Sequence, residues 1–363
     1  MKFGLSTLRR LGAVLLCGVA LAACSPKKEE AAAPAVKTDF TIGWTIYAGW
    51  MPWPYAEKAG IVDKWNKKYG VNIKIVQVND YVESLNQFTA GKLDGVSAAS
   101  MDALTVPAAG GKDSTVIIVG DYSNGNDGVV LKDGKTLADL KGRPVNLEFS
   151  VSHYLLARAL ESANLGPTDI KTVNTSDADI VASFSAADTK ALVTWNPQLS
   201  EVKKMKGATE VFDSSKIPGE ILDTMVVSTE ALQNNPNLGK ALTGIWYETM
   251  AIMSAKTPEG EAARKMMGEL SGTDLAGYEA QLKTTYMYYT PAEALAFVRS
   301  PEMAAGLERV RQFSFANGLF GQGAKSVDDI GITVPGGKTL GSTSNVKLRF
   351  DDSFMADAAA GAL

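Results

Sequence analysis

The first half of the chain alternates short apolar runs with segments of helical periodicity. Apolar runs predict strands and amphipathic segments between them predict helices: strands at 40–46, 71–78, 96–99 and 115–119, and helices at 55–69 and 81–90. Gly70 and Gly91 are placed to end the two helices. Continuous apolar runs such as 115–119 are typical of strands buried in a parallel sheet. The order of these elements predicts an open α/β sheet of mostly parallel strands.

A second set of the same kind follows a glycine-rich turn at 123–128. It has strands at 144–148, 170–173 and 191–195, helices at 152–164 and 178–184, and a strand at 224–228 that crosses back. The remainder is mainly helical, with helices at 238–255, 259–270, 275–286, 291–299 and 302–317 and a strand at 346–350.

This order predicts two lobes, one made of 39–125 with 229–363 and the other of 126–228. Two hinge crossings, near 125–128 and 224–228, would join them, and a ligand cleft would lie at the carboxyl ends of both sheets. Two independent sequential domains are the alternative. We prefer the crossed arrangement because the sequence around residue 228 has no linker-like composition.

The N-terminus has the pattern of an export signal. Basic residues precede an apolar run at 11–23, which is too short to cross a hydrocarbon core of about 30 Å. The run ends in Leu-Ala-Ala-Cys, which resembles a bacterial lipobox, although a buried cysteine beside a chance cleavage site would look similar. We expect a signal peptide at 1–23, lipidation of Cys24 and a tether at 24–38. The protein would then face the periplasm, contacting the membrane through its lipid anchor only.

Composition narrows the chemistry. The 36 basic and 40 acidic residues leave a net charge of −4, so no broad basic field is available for a nucleic acid. His153 is the single histidine, and Cys17 and Cys24 are the only cysteines. Most zinc sites and nucleophilic catalytic pairs depend on these residue types. We therefore expect no enzyme activity, no cofactor, no metal and no nucleic-acid partner.

Aromatic and acidic side chains collect where the predicted strands end. The candidate ligand-binding residues are Trp44, Tyr47, Trp50, Asp102, Asp121, Asn126, Asp127, Glu148, His153, Trp195 and Asp223. These loops contain no Lys or Arg, which an anion such as nitrate or a sulfonate would usually require. Aromatic faces attract a small cation, and carboxylates accept its N–H groups. The pattern favours a small cation, and a neutral amide such as urea remains an alternative.

Structural roles remain open for several of these residues. Asp127 could shape a turn with Gly128, and Trp50 could simply pack its loop. His153 follows a predicted helix start, and a lone histidine in such a place is more often structural than catalytic.

Five segments carry a resemblance to a known family: WTIYAGW at 44–50, GDYSNGNDG at 120–128, SVSHYLLAR at 150–158, NTSDADI at 174–180 and VTWNP at 193–197. They resemble the nitrate/taurine-type solute-binding proteins of ABC transporters, and more closely the branch that accompanies urea carboxylase. The resemblance extends over about 40–247 and is weaker in the helical C-terminal third.

The resemblance implies a type II periplasmic-binding fold whose two lobes close on a solute and then dock on an ABC permease. It also implies a urea-like or guanidinium-like solute, and the acid-rich loops without basic residues favour guanidinium over urea. Three alternatives remain: an enzyme of pyrimidine-precursor type on the same fold, a binder of an anion such as nitrate or a sulfonate, and an envelope lipoprotein that acts as a scaffold.

Overall fold

Two β-sheets organise residues Val36–Leu363, the part of the chain that the computed structural model describes. The predicted signal peptide, the lipidation of Cys24 and nearly all of the tether lie outside these described residues. Within them, no helix has the length and apolar character needed to cross a membrane.

The strands are numbered in chain order. They are β1 (Asp39–Trp44), β2 (Asn72–Gln77), β3 (Gly95–Ala99), β4 (Ser114–Ser123), β5 (Asp127–Lys132), β6 (Pro144–Leu147), β7 (Lys171–Asn174), β8 (Ala191–Trp195), β9 (Ala208–Asp213), β10 (Leu222–Ser228), β11 (Thr285–Met287), β12 (Gly331–Thr333), β13 (Thr339–Leu340) and β14 (Val346–Phe350). One sheet has the order β13-β12-β14-β4-β10-β3-β1-β2, with β11 also on β4, and the other has the order β7-β6-β8-β5-β9. We call them the first and second sheets.

The helices are also numbered in chain order. They are α1 (Pro52–Lys58), α2 (Ile61–Tyr69), α3 (Tyr81–Thr89), α4 (Ser100–Ala103), α5 (Val151–Ser162), α6 (Ile180–Ser183), α7 (Gln198–Val202), α8 (Thr229–Asn234), α9 (Asn237–Ser254), α10 (Pro258–Leu270), α11 (Leu275–Leu282), α12 (Pro291–Val298), α13 (Pro301–Ala316) and α14 (Ser353–Ala359). The predicted helical C-terminal third is confirmed, and β11 to β14 interrupt it.

The predicted helix at 55–69 is two helices, α1 and α2. Gly60 separates them with a backbone φ of +75°, a left-handed conformation that glycine adopts without steric cost. Gly70, with a φ of +66°, ends α2 as its position in the sequence predicts.

Both sheets are mixed, so the expectation of mostly parallel strands needs correction within the confirmed α/β architecture. In the first sheet β1 pairs in parallel with β2 and β3, but β10 runs antiparallel between β3 and β4. In the second sheet β6 pairs in parallel with β7 and β8, whereas β5 runs antiparallel to β8 and β9. The chain enters β5 and β10 directly after passing from one sheet to the other, and β11 and β13 also pair antiparallel, with β4 and β12.

Two crossings connect the sheets, and they touch each other. Residues 124–126 link β4 to β5, and residues 214–221 link β9 to β10. The Ser214 hydroxyl lies 2.6 Å from that of Ser123 and accepts the N–H of Gly125 at 2.7 Å. The second crossing therefore precedes the predicted one at 224–228, because those residues lie inside β10. Because β10 pairs with β3 and β4, it belongs to the first sheet.

Strand register brings particular side chains to the space between the sheets. Asp223 on β10 is the partner of Asp121 on β4 and of Ala99 on β3. In the second sheet Asp127, the first residue of β5, is the partner of Trp195, the last residue of β8. These positions lie at the strand ends nearest the crossings.

Candidate functional site

A narrow cavity lies between the two sheets, with about 320 Å³ of space that no atom occupies. Its lining is drawn from both sheets: Tyr47, Trp50, Tyr81, Ala99, Asp127, Val151, Trp195, Ile221 and Asp223. A second cavity, of about 190 Å³, shares Trp50 and Asp223 with the first and adds Asp121. We call the two together the inter-sheet cavity.

Four aromatic rings form a continuous wall of this cavity. The Tyr47 and Trp50 ring centres are 5.1 Å apart, edge to face, and those of Trp50 and Tyr81 are 5.5 Å apart. Tyr81 in turn meets Trp195 edge to face at 5.9 Å. Because Tyr81 begins α3 and Trp195 ends β8, the wall joins the first sheet to the second.

Asp121 and Asp223 form a buried acidic pair. The Tyr47 hydroxyl donates a hydrogen bond to Asp121 Oδ1 at 3.0 Å, and Asp121 Oδ2 has no partner among the described residues. Burial raises the pKa of Asp121 to about 7. Burial, followed by repulsion from Asp121 and Asp127, raises the pKa of Asp223 well above its ordinary value. The pair therefore retains a proton near neutral pH when no cation is bound.

Asp127 supplies a third carboxylate from the second sheet. The Ser123 hydroxyl donates to it, and the Asp127 N–H donates to Ser123 Oγ at 3.2 Å. Burial raises the pKa of Asp127 to about 6. Asp127, Asp121 and Asp223 all act on the Tyr47 hydroxyl, whose pKa is raised well above its ordinary value by burial first and then by these three charges.

Asp102 lies behind the aromatic wall and faces the start of α5. It accepts a hydrogen bond from the Tyr81 hydroxyl at 2.9 Å and another from the backbone N–H of Val151 at 3.2 Å. Burial raises the pKa of Asp102 to about 7. Helix N-termini are common anion sites, but here a carboxylate of the protein itself takes the first N–H of α5.

The inter-sheet cavity is acidic and aromatic. Within residues 36–363, none of the side chains that line it is Lys, Arg or His. Trp50 lines both parts of the cavity, and its indole Nε1 has no hydrogen-bond partner among residues 36–363. The cavity can thus accept several N–H groups of a small cation and stack against its faces. It can also donate an N–H to an oxygen.

The structure brings together most of the residues that the sequence predicts for the site. The main part of the cavity is lined by five of them, Tyr47, Trp50, Asp127, Trp195 and Asp223. Its smaller part is lined by Asp121, and Asp102 lies behind the aromatic wall. These residues come from the segment between β1 and α1, from the strands β4, β5, β8 and β10, and from α4.

Four other predicted residues lie elsewhere. Trp44 is buried at the end of β1, and Asn126 holds the first crossing by donating to Thr285 Oγ1 at 2.7 Å. His153 packs between the rings of Phe149 and Phe313, and burial lowers its pKa.

Glu148 is the fourth of these residues, and it joins a separate acidic cluster with Asp80 and Asp177. Glu148 follows β6 and does not line the inter-sheet cavity; it lines a separate pocket beside Asp80.

Sequence reasoning missed Tyr81 and Gly49. Tyr81 follows the helix-capping residue Asp80 at the end of β2, so its strand-end position was an available signal. Gly49 has no comparable signal: a Cβ atom there would lie 2.4 Å from Asp121 Oδ2 and 2.6 Å from a ring carbon of Tyr47. The absence of a side chain at Gly49 lets the Tyr47 ring and the Asp121 carboxylate approach this loop.

Solved structures define the class of fold. The alkanesulfonate-binding protein of Xanthomonas axonopodis pv. citri, solved with MOPS bound, superposes with a TM-score of 0.64 at 17% identity, covering 79% of this chain and 96% of that one. The periplasmic nitrate-binding protein of Synechocystis PCC 6803 gives a TM-score of 0.56 at 12% identity, covering 89% and 98%. This chain has the α/β periplasmic-binding-protein fold.

Sequence comparison defines the family. The model of the NMT1-like family matches residues 33–267, so the chain belongs to that family. A putative aliphatic sulfonates-binding protein of Escherichia coli K12 is 37% identical over 84 residues, which is 23% of this chain and 26% of that protein. The match thus spans about a quarter of the curated relative.

Proposed function

We propose that this protein is the solute-binding component of an ABC importer and that its inter-sheet cavity captures a small nitrogenous cation of the guanidinium type. Membership of the NMT1-like family and the periplasmic-binding-protein fold support the transport role. The charge of the cavity carries the choice of solute: Asp121, Asp127 and Asp223 converge on it, and within the described range no basic side chain lines it.

Guanidinium matches this cavity in shape and charge. It is planar and presents N–H donors around its whole edge, which suits carboxylates that accept charge-assisted hydrogen bonds. Each aromatic face adds about 0.5–2 kcal/mol of attraction for a desolvated cation. Urea has a similar shape but no charge, so it gains less from the three carboxylates.

The second candidate solute is an oxyanion such as a sulfonate or nitrate. The similar proteins carry such names, so the comparisons favour this alternative over guanidinium. The unpartnered Trp50 Nε1 could donate to an anionic oxygen. Two observations count against an oxyanion. The carboxylates of Asp121, Asp127 and Asp223 would repel an anion in the cavity. The N–H of Val151 at the start of α5, which could otherwise bind an anion, already donates to Asp102. The electrostatics of this chain's own residues decide our choice.

The proposed transport cycle uses the two crossings. Residues 124–126 and 214–221 would serve as the hinge, and a solute held by both sheets favours the closed arrangement through its differential affinity. The closed form would then dock on a permease. We retain export to the periplasmic side and a lipid anchor at Cys24 as part of this proposal.

A thermal-shift screen tests the solute class. Guanidinium, urea, agmatine, taurine, nitrate and an alkanesulfonate are each added at millimolar concentration, well below denaturing levels. A true ligand at 100 times its dissociation constant stabilises the fold by about 2.7 kcal/mol, and we expect guanidinium to give the largest rise in melting temperature. If only the anions raise it, the cationic assignment is wrong.

NMR of the stabilising compound addresses the enzymatic alternative. A transport component returns the compound unchanged after long incubation with the protein. Turnover would instead support an enzyme on this fold.

A further inference from the structure

Three carboxylates meet outside the inter-sheet cavity. One oxygen each of Asp80, Glu148 and Asp177 lies within 4.8 Å of the others. Glu148 directly follows β6, and Asp177 lies shortly after β7. These strands are parallel neighbours, with Leu147 beside Asn174 in the register, so their carboxyl ends bring the two acids together.

Asp80 reaches the same point from the other side of the cleft. It precedes α3, which follows β2 of the first sheet, and one of its oxygens accepts the N–H of Glu83 at 2.8 Å. The cluster therefore takes one acid from the first sheet's side and two from the second sheet's side.

The two acids from the second sheet are buried, and each has an oxygen without a partner. Glu148 is 5% exposed and Asp177 is 7% exposed. Glu148 Oε2 and Asp177 Oδ1 form no hydrogen bond with any described residue. A buried ionised carboxylate is costly unless it is paired, so a cation that binds these two oxygens would stabilise the site.

No cation of the described chain fills this role. Among residues 36–363, no Lys or Arg forms an ion pair with Asp80, Glu148 or Asp177. A partly open pocket of about 510 Å³ reaches Asp80 and Glu148 and is also lined by Asn174 and Ser176. A cation with water ligands can therefore enter from solvent.

We propose that Asp80, Glu148 and Asp177 form a binding site for a divalent cation of the calcium type. The donors are all hard oxygens, which suit Ca²⁺ or Mg²⁺ rather than a thiolate-seeking metal. Ca²⁺ accepts irregular geometry and mixed carboxylate and water ligands, whereas Mg²⁺ demands a near-ideal octahedron. The expectation of no metal rested on the scarcity of His and Cys and did not consider an all-carboxylate site.

The position of the site gives the ion a structural consequence. Because Asp80 lies on one side of the cleft and Glu148 and Asp177 on the other, a bound ion ties the two sides together. Tyr81, next to Asp80, belongs to the aromatic wall. The ion would thus favour the arrangement in which the inter-sheet cavity is enclosed, whatever solute the cavity takes.

Isothermal titration of chelator-treated protein with CaCl₂ tests the site. We expect saturable binding of one Ca²⁺ per chain, with weaker binding of Mg²⁺. Glu148→Gln and Asp177→Asn should each weaken Ca²⁺ binding by roughly tenfold or more. Asp188→Asn is the matched control, because it removes one exposed carboxylate elsewhere on the second sheet's side and should leave the affinity unchanged.

Other outcomes overturn the proposal. It fails if Ca²⁺ shows no saturable binding, or if both variants bind Ca²⁺ as well as the wild type while melting normally without calcium. It also fails if guanidinium binds with two equivalents and Ca²⁺ does not bind, since the cluster would then be part of the solute site. Asp121→Asn changes the inter-sheet cavity and not the carboxylate cluster, so it should leave Ca²⁺ binding unchanged. Failure of the solute proposal can therefore be told apart from failure of the calcium proposal.

Discussion

Asp121 and Asp223 are register partners on the adjacent antiparallel strands β4 and β10, and both are acids. Like charges directly opposite each other destabilise a sheet, and burial increases the cost of ionising them. The two carboxyls can coexist there while they share a proton, or when a cation lies between them and the third acid, Asp127. The ligand-free site is therefore electrostatically unfavourable, and a bound cation relieves it.

The first prediction concerns the stability of the ligand-free protein. A folded-state pKa of about 7 for Asp121 means that the folded state binds more protons than the unfolded state above the ordinary aspartate pKa. This contribution is fully present below about pH 4 and is lost as the pH rises towards 7. Asp121→Asn should therefore raise the free energy of unfolding at pH 8 by roughly 1–3 kcal/mol relative to wild type.

Thermal unfolding followed by calorimetry at pH 5 and pH 8 measures this effect without adding a candidate solute, with Asp188→Asn as the control for loss of an exposed charge. The gain of Asp121→Asn should shrink at pH 5. An equal effect of both variants at both pH values would contradict the assigned acidic pair.

The second prediction concerns Gly49. A Cβ atom at this position would lie 2.4 Å from Asp121 Oδ2, so Gly49→Ala must displace the carboxylate or the Tyr47 ring. Overpacking of this kind costs about 1–3 kcal/mol, and we expect solute affinity to fall by roughly tenfold. Gly166→Ala is the control, since a Cβ there meets no atom within 4 Å. Unchanged affinity in Gly49→Ala would show that Asp121 does not hold the solute.

The third prediction separates the two solute classes through Trp50. Trp50→Phe keeps an aromatic face and removes the unpartnered Nε1 donor. Guanidinium has no acceptor for that N–H, so its affinity should change by less than about fivefold. Loss of an oxyanion's hydrogen bond would cost about 1 kcal/mol or more. Calorimetric titration of this variant with guanidinium and with an alkanesulfonate checks the assignment, and a large loss for guanidinium would contradict it.

The fourth prediction concerns the second crossing. Glu220 lies in it and accepts from the Tyr154 hydroxyl at 2.5 Å and from Arg158 Nε at 3.0 Å, both on α5. It also lies 3.4 Å from a guanidinium nitrogen of Arg309, on α13. Glu220→Gln removes the carboxylate that the partly exposed Arg158 and Arg309 share, and we expect it to lower the free energy of unfolding by about 1–2 kcal/mol.

Glu161→Gln is the matched control for Glu220→Gln, because the exposed Glu161 also pairs with Arg158. Its effect should stay below about 0.5 kcal/mol. If the two variants destabilise the protein equally in thermal unfolding, Glu220 does not hold the crossing in place.

Strand ends can be predicted from the sequence because apolar runs and glycines mark them. For that reason the sequence alone places Trp195, which ends β8, beside a cleft, together with Asp127, which lies in the glycine-rich turn after the predicted strand at 115–119. The strand β5 itself is not predicted, since its first residues, Asp127 and Gly128, have the composition of a turn. The strand β9 is not predicted either, because polar residues interrupt its apolar pattern.

Side-chain direction at those strand ends could not be predicted. Glu148 follows β6 as expected, but its neighbours Asp80 and Asp177 come from distant parts of the chain. His153 packs against Phe313, which lies on a helix of the C-terminal third. Contacts of this kind depend on how separate elements pack, and local spacing carries no information about them.

The most direct test of the account is the number of protons exchanged when the solute binds. Titration calorimetry with guanidinium at pH 6.5, repeated in buffers of different ionisation enthalpy, gives that number. A cation favours the ionised forms of Asp127 and Asp121, whose pKa values are raised to about 6 and about 7 in the ligand-free protein, so we predict net proton release. No binding of guanidinium, together with proton uptake on binding an alkanesulfonate, would contradict the cationic site.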